Sequence, residues 1–166
     1  TIVVISSGSI SESHLEEIRS AVRRLMGLGI VEESPNRIAL QCSIDHSKFP
    51  ISTLIRRMHV TVSTMHNEVT QALRDANREL AQSVTRRKNE MDMIYSLIVR
   101  LLHGSQRDPN LGEQIGVTEP TQVQGYRLTA TCLEKTSNSC CENASILLDT
   151  LGAGKKLPEP VSTQLA

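Results

Sequence analysis

A chain of 166 residues makes one ordinary domain, or a small domain joined to a larger one, and is long enough to bury a core. Lysine plus arginine equals aspartate plus glutamate at 18 each, which excludes a net field that would draw the chain onto nucleic acid or an anionic membrane. Phe49, Tyr95 and Tyr126 are the only aromatic residues and tryptophan is absent, which disfavours a sheet sandwich and favours packed aliphatic helices.

The opening run TIVVIS is apolar without a break and predicts a buried strand. It lacks the basic flank and small-residue cleavage site of a signal peptide, and no apolar run approaches the roughly 20 residues that span a bilayer, so the reading is cytoplasmic with no membrane insertion. The first residue is Thr1 rather than methionine, which suggests a piece of a longer protein. Ser13 and Glu16 have capping-box spacing, and the helix expected after them carries Leu15, Ile18, Val22 and Leu25 on one face until Gly27 and Gly29 stop it. GIVEE and RIALQC, on either side of a turn at SPN, predict two short strands. In the second, Ile38, Leu40 and Cys42 are expected to point inward and Arg37, Ala39 and Gln41 outward. Residues 1–47 therefore read as a βαββ unit, whose single helix covers one sheet face and leaves the other face or the edges for something outside this chain.

After the polar link SIDHSKFP the period turns helical. Ile51, Ile55, Met58, Val62, Met65, Val69 and Ala72 step by four and three, as in a heptad seam. A second helix repeats the step through Leu80, Val84, Met91, Ile94, Ile98 and Leu101, interrupted by Arg87. A third, from Thr121 to about Leu151, carries Val123, Tyr126, Ala130, Leu133, Ser137, Cys140, Ala144, Leu147 and Leu151, a seam narrow enough for close approach. Asp75 to Asn77 is too short to do more than reverse the chain, whereas GSQRDPNLGEQIGVTEP crosses the end of a bundle, with a short turn starting at Asp108-Pro109. The fold class is α+β, predominantly helical: a small βαββ unit, then an antiparallel three-helix bundle over residues 50–152, then a tail or linker over 153–166. Leu54, Leu73, Tyr95, Leu97, Leu102, Leu128, Ile146 and Leu148 lie beyond the seams, more than a three-helix core alone covers, and predict self-association as a homodimer. Cys42, Cys132, Cys140 and Cys141 have neither zinc spacing nor a pairing pattern and read as reduced thiols.

The stretch RRKNEMD at 86–92 raises the question of a metal site on the second helix. Glu90 and Asp92 stand about 200° apart on a helix and cannot chelate one ion together. One turn before Asp92 stands Lys88, which makes a surface ion pair worth about 0.3 kcal/mol and repels a cation. A solvated face is the leading reading. On the third helix Glu134 and Asn138 share a face and offer oxygen ligands, with less charge than a hard metal usually gathers. His59 and His66 lie about 10 Å apart along the axis and cannot share an ion. A Gly-rich phosphate loop and a nucleophile elbow are both missing, so no enzyme activity is expected. Arg-Arg pairs at 23, 56 and 86 read as exposed helical faces, or else as a distributed surface for phosphate or an acidic partner.

Several linked phrases, EIRSAVRRLMGLGIVEES, LIRRMHVTVSTMHNEVTQAL, NEMDMIYSLIVRLL with RDPNLGEQIGV, and YRLTATCLEKTSNSCCENA, resemble the archaeal PhoU-like phosphate uptake regulators over roughly residues 10 to 152. The resemblance implies an AbrB-like DNA-binding domain ahead of the βαββ unit and two three-helix repeats, of which this chain holds the first. It also implies iron or zinc bound through acid pairs four residues apart. On this sequence those pairs fall on Lys88 with Asp92 and on Glu134 with Asn138, each short of one acid, while the histidine that often follows the second pair is Ser139. The metal candidates that remain are Asp92, Glu134 and Asn138. The role implied is that of a regulator of phosphate uptake or signalling, docking onto a phosphate transporter component or a sensor kinase. The alternatives are a structural dimerisation domain of a transcriptional regulator and a metal-binding helical bundle. By this chain alone, binding to double-stranded DNA is expected to be no more than non-specific, and fluorescence anisotropy at about 150 mM salt showing sub-micromolar affinity would contradict that.

Overall fold

The computed structural model describes residues 1–43, 45 and 48–154. Ile2–Ile5 form β1, Glu12–Arg24 helix α1, Leu28–Ser34 β2 and Arg37–Cys42 β3. The strands make an antiparallel sheet in the order β1-β3-β2, with Ile2 opposite Leu40 and Ile30 opposite that same Leu40 from the other side. A bulge between Ile30 and Glu32 leaves Val31 without a partner in the register. Arg19 of α1 donates to Glu33 at 2.8 Å, and Glu33 stands opposite Ile38, so α1 covers the face that carries Ile38 and Leu40. The opposite face holds Val3, Ile5, Ala39 and the Arg37–Glu32 ion pair, with Val3 and Ile5 exposed and Ala39 buried.

Four local expectations are corrected here. β1 is not buried: Ile2 is 57% and Ile5 71% exposed, because β1 is an edge strand and the one covering helix packs against β2. On β3 the buried residues are Ile38, Ala39 and Leu40, while Cys42 is exposed. Ala39 is shielded by its central position between Val3 and Glu32, and Cys42 sits at the strand end. The α1 cap is Ser11, not Ser13: its backbone is extended and its Oγ accepts from the His14 N–H, whereas Glu16 pairs with Arg23. Gly27, with φ +74°, makes the turn after α1, and Gly29 belongs to β2.

Ile51–Asp75 form α2, Arg78–Ser105 α3, Pro109–Ile115 α4 and Pro120–Gly152 α5. The long helices α2, α3 and α5 pack on one another, and the short α4 closes against α3. The reversal between α2 and α3 uses Ala76 in the left-handed region and Asn77 as the next cap, whose side-chain oxygen accepts from Glu79 N–H at 2.9 Å and Leu80 N–H at 3.2 Å. Asn77→Ala leaves both donors without this acceptor, and urea unfolding is expected to show a loss of about 1 kcal/mol. Asp108 caps α4 with Pro109 in its first turn, as the sequence predicts.

The core runs along Met58, Val62 and Met65 of α2, Met91, Ile94 and Ile98 of α3, and Ala130, Cys140, Ala144 and Leu147 of α5. Leu54, Leu97 and Leu102, expected to await a second chain, are buried within this one, and Leu73, Tyr95 and Leu148 pack half-buried against the same core. A helix that faces two neighbours buries a stripe wider than one heptad seam. For the same reason Ala81 is buried on α3 in the first turn, and Leu54 rather than Ile55 is fully covered on α2. Of the eight residues that suggested a homodimer, Leu128 and Ile146 are the ones left exposed.

The βαββ unit is tied to the bundle through Met26, which packs on the bundle core and whose carbonyl accepts from Arg100 Nη2 of α3 at 2.6 Å. Among the described residues no helix is long and apolar enough to cross a membrane. The expected tail falls on Ala153 and Gly154, which follow the end of α5, and on 155–166, which lie outside the described residues.

Candidate functional site

Close approach of α3 and α5 is a direct consequence of small residues on α5, where Ser137, Cys140 and Ala144 are all buried. The two helices run antiparallel: Tyr95 meets Thr131 at 3.5 Å, Lys88 meets Glu134 at 3.6 Å, and the Cys141 thiol faces the Val84 carbonyl at 3.8 Å. This register brings Lys88, Asp92, Glu134 and Asn138 into one cluster.

The Lys88 ammonium is the centre of that cluster. It donates to Asp92 one turn on along α3 and lies 3.6 Å from Glu134 Oε1 across the helix gap. Asn138 Nδ2 donates to that same Glu134 oxygen at 2.7 Å. Lys88 and Glu134 keep only 25% and 20% of their side-chain surface exposed, so this is a half-buried arrangement and not a freely solvated pair. The Lys88–Asp92 pair expected for RRKNEMD forms, but it is not on a freely solvated face, because Lys88 is largely covered and reaches across to α5.

Glu90 points the other way and accepts from Arg57 of α2 at 2.6 Å. Arg87, the break in the α3 seam, reaches Glu68 of α2 at 2.9 Å. Sequence reading missed both of these interhelical pairs. The signal available was Arg87 itself: a cation at a seam position needs an acid on the facing helix, and Glu68 borders the α2 seam residue Val69.

The cluster does not fit iron or zinc. Two carboxylates converge, but an ammonium stands between them, and Asn138 turns N–H donors, not oxygen lone pairs, toward Glu134. Among the described residues no group of three or more His, Cys, Asp and Glu side chains is placed to hold a metal ion. Burial pushes the Cys141 thiol up, with the nearby Lys88 charge opposing, and burial likewise pushes the Cys140 thiol up. Both favour the protonated thiol over the thiolate that a metal would need. His59 and His66 are exposed on α2.

On its outer side Asp92 borders an open cleft of about 910 Å³ between α1 and α3. Glu16, Glu17, Ser20 and Arg24 form one wall and Asp92 with Ser96 the other. Ala21 and Leu25 also line the cleft, whose surface is mainly apolar, with these polar side chains from both structural units set around it.

Residues 55–147, from the second turn of α2 to near the end of α5, match the family model of the PhoU domain. No curated protein and no solved structure gives a match.

Proposed function

The chain belongs to the PhoU domain family, which is associated with the regulation of phosphate uptake, and from that membership we propose that it is a cytoplasmic regulator acting by docking, without turnover. Its partner in this reading is a phosphate transporter component or a sensor kinase. The observation that carries the reading is the coincidence of the family match with the helical bundle: the matched residues are those of α2, α3, α4 and α5, and the βαββ unit lies ahead of them. The ion pairs between the helices support a scaffold role. Arg57–Glu90 and Arg87–Glu68 join α2 to α3, and Lys88–Glu134 joins α3 to α5, so these groups hold helices in register.

Deleting the gene in its own host tests the reading. Uptake of radiolabelled phosphate is expected to lose its normal response to a shift from phosphate-rich to phosphate-poor medium, and a transporter component or a kinase is expected to co-purify with the tagged chain. An unchanged uptake response would sink the proposal. Self-association belongs to the same reading, now with a narrower basis. It rests on the exposed Val3 and Ile5 of β1, and on Leu128 and Ile146, which lie on one line of α5 about five turns apart. Light scattering after size exclusion, across a hundredfold concentration range, distinguishes a homodimer from a monomer.

A further inference from the structure

We infer that Lys88 is a resident internal cation, an ammonium clip that stands where a divalent ion would bridge α3 to α5 and that fastens this junction without metal. Two carboxylates brought together at a half-buried helix junction repel each other unless a cation lies between them. Here the chain supplies one. Lys88 bonds Asp92 on its own helix and reaches Glu134 on the next, and Asn138 adds a neutral donor to Glu134. Of the four side chains, two are anionic, one is cationic and one is neutral, so the cluster carries a single negative charge. A divalent ion entering it would have to expel the ammonium into the neighbouring surface pocket, which Lys88 lines together with Asn138 and Cys141. It would gain only two carboxylate ligands by doing so. The consequence is a bundle whose α3–α5 register is indifferent to metal supply, whichever partner it docks onto.

Four proteins, each the full chain, test this by titration calorimetry with zinc and by thermal melting with zinc or with EDTA. For the wild type, neither zinc nor EDTA is expected to move the melting temperature. Lys88→Met, which keeps the length of the side chain and removes its charge, is expected to lower the melting temperature by about 2–4 °C. The double variant Lys88→Glu/Asn138→Asp, with four carboxylates in place of two, is expected to bind zinc at least about tenfold more tightly than the wild type and to melt higher with zinc than with EDTA. Lys88→Glu alone, read the same way, covers the case in which the double variant fails to fold. A wild type that already binds zinc as tightly as the charge-added variants would overturn the inference, as would a Lys88→Met protein that melts where the wild type does.

Discussion

Leu97→Ala is expected to lower the unfolding free energy by about 2–5 kcal/mol, the range for emptying a buried leucine site, and to do so equally at low and at hundredfold higher chain concentration. Leu97 is 1% exposed within a single chain, packed in the core that α3 shares with its neighbours. Removing it opens a cavity between helices, and rigid neighbours on two sides limit how far the site can collapse. A dimer contact would behave differently. If Leu97 were covered by a second copy, the loss would shrink as dilution separated the copies in the wild type as well, since association and stability are then linked by mass action. Urea unfolding of wild type and variant at two concentrations separates these cases. A concentration-dependent difference would return Leu97 to an intermolecular surface.

That contrast shows where the sequence was legible. The heptad steps of α2, α3 and α5 named most of the core correctly, because a helix keeps one side toward its neighbours along its whole length. The tight reversal at Asp75–Asn77 and the Asp108-Pro109 start were equally legible, since short links and proline allow few conformations. Periodicity alone, however, does not say how many neighbours a helix has. α3 touches α2 on one side and α5 on another, which buried Leu97 and Leu102 outside the expected seam. In the βαββ unit the failure was of another kind. An apolar run such as Ile2–Ile5 reads the same at the centre of a sheet as at its edge, and only the order β1-β3-β2 decides that it is exposed.

The candidate site was half legible for a similar reason. The pairs Lys88 with Asp92 and Glu134 with Asn138 follow from helical spacing, and each was recognised separately. That the two pairs meet depends on the antiparallel register of α3 against α5 and on how closely those helices approach. The same dependence hides Arg57–Glu90 and Arg87–Glu68, whose partners lie 33 and 19 residues apart in the chain. Small residues on α5 are visible in the sequence, but their effect on the site depends on the cross-helix distances.

Ser137→Leu tests that close approach and is expected to cost about 1–3 kcal/mol or more, with Ser137→Ala nearly neutral beside it. Ser137 is completely buried on the α5 seam, and its Oγ donates to the Glu134 carbonyl of its own helix at 2.7 Å. Alanine removes a hydroxyl whose partner is local and which no other helix uses, so little packing is lost. Leucine adds volume to a seam whose neighbours Cys140 and Ala144 are also small, and α3 or α2 must move outward to admit it. Because Ser137 lies beside Asn138 and one turn after Glu134, the displacement would lengthen the 3.6 Å approach of Lys88 to Glu134 while leaving the Lys88–Asp92 pair on α3 intact. The expected signature is therefore a stability loss accompanied by loss of coupling between substitutions at Lys88 and Glu134 in a double-mutant cycle. An unfolding curve for Ser137→Leu that overlays the wild type would show that the seam has room to spare, and that the α3–α5 approach is set by something other than small side chains.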